Sequence, residues 1–171
     1  DKSENKYIFH GGKNVKKIKI SFPDETVEAI AVLLEEKAPS TCACIWNALE
    51  KPVEGMCIHA MWTGREISFP FPGTAFPEDE GLHLPPENQI TIPLPGDIVW
   101  NAYAPYQWQG NPNIVYDFGV FYGRDSRLLL PMGWKPSTLF ARIEENLESF
   151  AAVCARCQGE GRKKLRIERA R

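Results

Sequence analysis

Apolar and polar residues alternate along Val15–Phe22 (VKKIKISF), with Ile18, Ile20 and Phe22 on one face and Lys17, Lys19 and Ser21 on the other. A period of two predicts a half-buried strand. Pro23-Asp24-Glu25-Thr26 offers turn residues. Val27–Glu36 (VEAIAVLLEE) follows with apolar residues in both parities, and pairing with the first segment favours a second strand. The spacing then changes. APSTCACIWNALEK puts Cys42, Ile45, Trp46 and Leu49 on one face of a helix, with Pro39 in the first turn, where its missing N–H costs nothing. MCIHAMW and REISFPF read as two strands flanking a Thr63-Gly64 hairpin turn.

Between Pro70 and Pro95 lie seven prolines and the acidic run Glu78-Asp79-Glu80. Proline removes ladder donors, so this stretch predicts loop and edge strand. GDIVWNAY (Gly96–Tyr103) and IVYDFGVFYG (Ile114–Gly123) predict central strands. The loop between them carries Tyr106, Gln107, Trp108 and Gln109, and RDSRLLLPMGWKP forms a second irregular stretch. STLFARIEENLESFAAVCARC predicts the longest helix, capped by Ser137 or Thr138 and ended by Gly159 and Gly161. Its apolar stripe is Leu139, Ile143, Leu147, Phe150, Ala151 and Cys154. KKLRIER closes as a strand. The order predicts a mainly β fold with two helices, a closed barrel whose ends the helices cover, which leaves few strand edges.

A length of 171 residues suits one domain, expected over residues 15–171, with the polar residues 1–14 as a disordered leader or an expression remnant. The net charge of −2 excludes a global field for nucleic acid. RKKLRIERAR is basic but holds no interleaved aromatics, so it reads as the solvated face of a strand rather than a phosphate-binding patch. No apolar run approaches the roughly 18 residues that span a bilayer, and no signal peptide opens the chain, so a soluble, cytoplasmic protein without membrane partners is expected. Five cysteines argue against a disulfide framework. CARCQGEG has a zinc-like spacing, but Cys42 and Cys44, two apart on a helix, diverge too far to complete a tetrahedral site. No metal or cofactor is therefore expected, and no phosphate loop or serine elbow is present.

Several runs, taken in order, resemble an uncharacterised bacterial family of cyclophilin-like domains. They are KAPSTCACIWNAL, HAMWTGRE, PPENQITIPLPGDIVW, Tyr122-Gly123 and CQGEGRKKLRIER. The resemblance runs from about Val15 to Glu168 and implies a closed cyclophilin-like barrel capped by helices. Two positions depart from the family pattern: Met61 stands where it has arginine, and Trp134 lies where an Asn-His-Phe-like run is common. True cyclophilins are prolyl isomerases that use an arginine directly after a strand histidine. Here Ala60 follows His59 and offers no donor to a twisted amide.

Residue type and this resemblance together nominate a small-molecule pocket at the barrel rim, bordered by Thr63-Gly64, the proline-rich loop and the Tyr103–Trp108 loop. His59, Tyr103 and Asp117 would supply hydrogen bonds, Trp62 or Trp108 a wall, and Arg65 or Arg124 a countercharge for a polar or anionic metabolite. A plain alternative stands beside each: His59 as a hydrogen-bonded packing residue, Arg65 as a solvated turn residue, the aromatics as barrel packing. Strand parity groups Asp97, Val99, Asn101 and Tyr103, and sets His59 and Trp62 on opposite faces. A binding protein, compatible with a homo-oligomer, is the leading class. A small hydrolase or isomerase of amide-like metabolites with His59 or Asp117 as base comes second. A protein-interaction module with an apolar patch at Phe69–Phe76 comes third.

Overall fold

The computed structural model describes residues 15–170; the expected leader, residues 1–14, lies outside them. Strands β1 (Lys17–Phe22) and β2 (Val27–Leu33) form the first hairpin, through a 3-10 turn at Pro23–Glu25. Helix α1 (Pro39–Ala48) leads to β3 (Val53–His59) and β4 (Glu66–Pro70). The proline-rich stretch holds only 3-10 turns and the two-residue β5 (Gln89–Ile90). Next come β6 (Asp97–Tyr103), β7 (Val115–Phe121) and the small pair β8 (Leu129–Leu130) and β9 (Gly133–Trp134). The chain closes with β10 (Ser137–Glu145), α2 (Leu147–Glu160) and β11 (Lys163–Arg169).

Neighbouring strands run in the order β2-β1-β11-β3-β4-β7-β6-β10, and β10 pairs back onto β2, closing an antiparallel barrel. β5 adds to the free stretch of β10 at Ser137 and Thr138. Inside lie Ile18, Ile20 and Phe22 of β1, Ile67 and Phe69 of β4, Phe118 and Val120 of β7, and Leu165 and Ile167 of β11, all fully buried. Phe22 meets Phe150 of α2 with ring centroids 4.8 Å apart, so that helix covers one opening of the barrel.

Two expectations need correction. Residues 137–145 are a strand, not the first half of the long helix. A bulge between Leu139 and Ala141 shifts the parity, and five successive residues from Ser137 are buried, so the alternation that marks a strand is hidden. Asn146, at φ 62, breaks the chain between β10 and α2, and Gly161, at φ 91, ends the helix, while Gly159 stays inside it. The connection after β3 is also longer than a two-residue hairpin: β3 ends at His59 and β4 begins at Glu66. On α1, Cys42, Ile45 and Leu49 are buried as expected, but Trp46 is only half-buried, beneath the Arg169 guanidinium at 4.6 Å.

Ala38 gives α1 no side-chain cap. Glu87 does so from the proline-rich stretch, accepting from Ser40 N–H (3.0 Å), Thr41 N–H (2.9 Å) and the Thr41 hydroxyl (2.9 Å). A carboxylate there satisfies orphan donors and meets the positive end of the helix dipole. Burial pulls its pKa up, but these hydrogen bonds outweigh that and hold it below the ordinary glutamate value. Glu87→Ala is expected to lower stability by about 1–2 kcal/mol, read as a shift in the urea midpoint.

Candidate functional site

β4, β7 and β6 form one wall of the barrel, and their registers fix what its outer face carries. Ser68 lies opposite Gly119, Gly119 opposite Val99, and Asn101 opposite Asp117. Side chains alternate across a sheet, so Glu66, Ser68, Asp117, Gly119, Val99, Asn101 and Tyr103 project outward while Ile67, Phe69, Phe118 and Trp100 point in. The outer face is not left to water. Val99, Phe121 and Leu128 form a second buried cluster on it. Beside that cluster opens a cavity of about 260 Å³. It sits on the outside of the wall, not at the barrel rim as the sequence suggests.

At its floor two carboxyl groups converge. Glu66 is 3% exposed and accepts a hydrogen bond from the Thr63 hydroxyl at Oε2. Asp117 accepts one from the Ser68 hydroxyl at Oδ1, at 2.6 Å. Burial, then the Asp117 charge, pushes the Glu66 pKa up to about 8. Burial pushes Asp117 up to about 6 against the pull of Ser68. With Glu66 pushed above neutrality by its burial and by the Asp117 charge, the two carboxyls do not both ionise at neutral pH. Gly119 makes the arrangement possible, because a Cβ there would run into Glu66 Oε1 and come within 3.1 Å of Val99.

The walls are aromatic. Trp62 meets Trp108 edge to face at 5.9 Å, and Trp108 meets Tyr103 at 5.0 Å. The Tyr103 hydroxyl is held well above its ordinary pKa by burial and then by the Asp117 and Glu66 charges. Asn101 donates through Nδ2 to the Ser137 hydroxyl at 2.7 Å, which fixes its amide at the cavity edge. Gln107 instead folds back on its own loop, accepting from Ala104 N–H at 2.9 Å. Among the described residues, no lysine, arginine or histidine lines the cavity.

The structure therefore brings Trp62, Tyr103, Trp108 and Asp117 together and leaves the other nominated residues elsewhere. His59 and Arg65 line a shallower groove against α2, on the far side of the β3–β4 connection. Tyr122 Oη lies 2.7 Å from His59 Nε2, and Nδ1 lies 2.9 Å from the Ala60 carbonyl. The carbonyl can only accept, so Nδ1 donates to it, and Tyr122 Oη partners Nε2. Both ring nitrogens are thus occupied, and His59 and Asp117 do not share a cavity. Arg124 is exposed and lines neither space. An anionic ligand loses both proposed countercharges. The apolar patch expected at Phe69–Phe76 is also absent as a surface, since Phe69, Phe71 and Phe76 are buried at 0%, 4% and 5% exposure.

Sequence reasoning misses Glu66, Ser68 and Gly119, and names Thr63 only as part of the bordering turn. The signal was the alternation Glu-Ile-Ser-Phe in β4, which puts two polar residues on the face opposite Ile67 and Phe69. The cysteines offer no competing chemistry. Cys42 donates to the Phe140 carbonyl at 3.3 Å, and burial pushes the thiols of Cys42 and Cys57 up to about 12, which suppresses the thiolate.

The closed antiparallel barrel with its covering helix has a cyclophilin-like fold. The crystal structure of the Mimivirus cyclophilin is similar over 92% of this chain and 89% of that one, at 13% identity and a TM-score of 0.54. The solution structure of the hypothetical protein AF2241 from Archaeoglobus fulgidus matches over 91% and 95%, at 20% identity and a TM-score of 0.52. A structure of McbB in complex with tryptophan matches 89% of this chain at 15% identity and a TM-score of 0.63, but this chain spans only 44% of that one. At these identities the likeness is one of fold. No curated protein matches the chain. The family described as "Protein of unknown function (DUF3830)" matches residues 20–168, and the chain belongs to it. No helix among the described residues is long and apolar enough to cross a membrane.

Proposed function

We propose that the outer-wall cavity binds a small molecule with a hydrogen-bond-donating head and a flat, largely apolar body. One observation carries this reading: the buried carboxyl of Glu66 and the half-buried one of Asp117 form the floor of a cavity walled by Trp62, Trp108 and Tyr103. Ligand sites combine an apolar lining with a few convergent polar groups in this way. The carboxyl oxygens and Asn101 accept the head, and the rings face the body. Tryptophan, the ligand in the McbB complex, has both an amino group and a flat indole. We place this binding in the cytoplasm, where five free thiols stay reduced.

A second reading has one observation in its favour. A carboxyl that keeps its proton beside one that loses it is an acid–base pair. Asp117 as base and Glu66 as acid would serve an isomerase or hydrolase of amide-like metabolites, with no part for His59.

Binding is tested with aromatic amines and amides, followed by thermal shift and tryptophan fluorescence. At least one is expected to bind, and Trp108→Ala and Gly119→Ala are each expected to weaken it about tenfold or more, equivalent to 1.4 kcal/mol. His59→Ala is expected to leave it unchanged. Ligands that bind Gly119→Ala and the unchanged protein equally well would place the site elsewhere.

A further inference from the structure

We propose that the occupant of this cavity carries a cationic head, an organic ammonium or amidinium, and that it enters in exchange for one carboxyl proton. The proposal rests on the binding reading above and narrows it to one class of ligand.

Glu66 is almost fully buried, yet among the described residues no hydrogen bond reaches its Oε1, and none reaches Asp117 Oδ2. Both oxygens belong to residues that line the cavity. The groups facing the pair can be taken element by element. β4 brings Glu66 with Ser68, β7 brings Asp117, β6 brings Tyr103 and Asn101, and the β3–β4 connection brings Thr63. Tyr116 also lines the cavity, though its ring packs inward on Phe76 and Trp100. From the stretch around β8 come only Leu128 and Leu130. The neighbouring cation Lys135 lies over the Tyr103 ring at 5.2 Å, not among the lining residues.

A neutral donor would satisfy one oxygen and leave one carboxyl protonated. A cation offsets the charge repulsion that keeps it so. The second carboxyl can then ionise, its proton leaves to solvent, and two anions flank one positive head, with ring faces to stack on it. Bonds and charge balance: one cation in, one proton out. Because binding releases a proton, affinity rises as pH climbs, by up to tenfold per pH unit, and levels off once the free pair has lost its proton at about pH 8. Calcium and magnesium suit the site less well, since they favour around six or more oxygen ligands.

The test is calorimetry on the full chain at pH 7, in phosphate and in HEPES, whose ionisation heats differ and neither of which is a primary ammonium. The probes are matched pairs: guanidinium and urea, benzamidine and benzamide, phenethylamine and phenethyl alcohol. In at least one pair the cation is expected to bind at least tenfold more tightly and to release close to one proton. Glu66→Gln is expected to abolish the release. Cation binding without proton release, or equal or tighter binding of the neutral partners, overturns the proposal while leaving the binding reading intact. Magnesium or calcium binding with the same proton release assigns the pair to a metal and also overturns it. If no member of any pair binds, the binding reading itself fails, and this proposal with it.

Discussion

Replacing Glu66 with glutamine is expected to stabilise the folded protein on the alkaline side of neutrality. Burial and the neighbouring Asp117 raise the Glu66 pKa from its ordinary value of 4.5 to about 8. Such an acid holds its proton more firmly folded than unfolded, so stability falls as pH rises between those values. Below about pH 4.5 both forms are protonated and the cost is absent; above about pH 8 both are ionised and it is complete. Asp117 adds a penalty of the same sign between its ordinary value of 3.8 and about 6. Each unit is worth about 1.4 kcal/mol, so the Glu66 penalty is on the order of 3–5 kcal/mol at high pH. Glutamine avoids it: its amide oxygen still accepts from Thr63, and its N–H groups can face Asp117. Urea unfolding at pH 5 and pH 9 decides the matter. The variant should match the unchanged protein within about 1 kcal/mol at pH 5 and exceed it by a few at pH 9. A variant that is less stable at pH 9 would mean the carboxyl is not held in a dry site.

Much of the barrel is legible in the chain because its strands bury one face at a time. Ile18, Ile20 and Phe22 alternate with Lys17, Lys19 and Ser21, and β6 and β7 are rich in β-branched and aromatic residues, so these elements announce themselves. β10 does not. It has β6 on one side and β2 and β5 on the other, carries a bulge, and buries residues of both parities. Leu139, Ile143 and Leu147 then fall four apart by coincidence and read as helix. Here tertiary burial overrides local periodicity.

The candidate site divides along the same line. Asn101 and Tyr103 fall together by parity within one strand, which a sequence reader can count. The partnership of Glu66 with Asp117 needs the register of β4 on β7, where Ser68 meets Gly119 across some fifty residues of chain. Nothing local encodes that pairing. Glu66 looks like a solvated charge beside a turn, and Gly119 like a weak point in a strand. Only the register shows that the missing side chain of one leaves room for the carboxyl of the other. His59 and Arg65 were drawn to the site by chemistry alone, and the end of β3 at His59 turns them to the other side.

Phe118→Ala is expected to be the most damaging single substitution to stability. Phe118 is fully buried inside the barrel, with its ring 6.1 Å from Phe71 and 5.6 Å from Phe140. Its strand neighbours are Phe69 and Trp100, so it sits where β4, β6 and β10 contribute rings to one core. Truncating a buried phenylalanine costs about 3–5 kcal/mol, part lost transfer energy and part cavity. A domain holds about 5–15 kcal/mol in total, so the variant should lose a large share of it. Phe118→Leu, which keeps most of the volume, should lose much less, on the order of 1–2 kcal/mol. Asp117 and Gly119 flank Phe118 on the opposite face, so the same substitution should also weaken binding in the outer cavity, because a strand that loses its inner anchor no longer holds its outer side chains in register. Urea unfolding reads the first effect, and ligand titration at a temperature where the variant stays folded reads the second. A loss below about 1 kcal/mol for Phe118→Ala would show that the packed interior of the barrel is not what holds this wall in place.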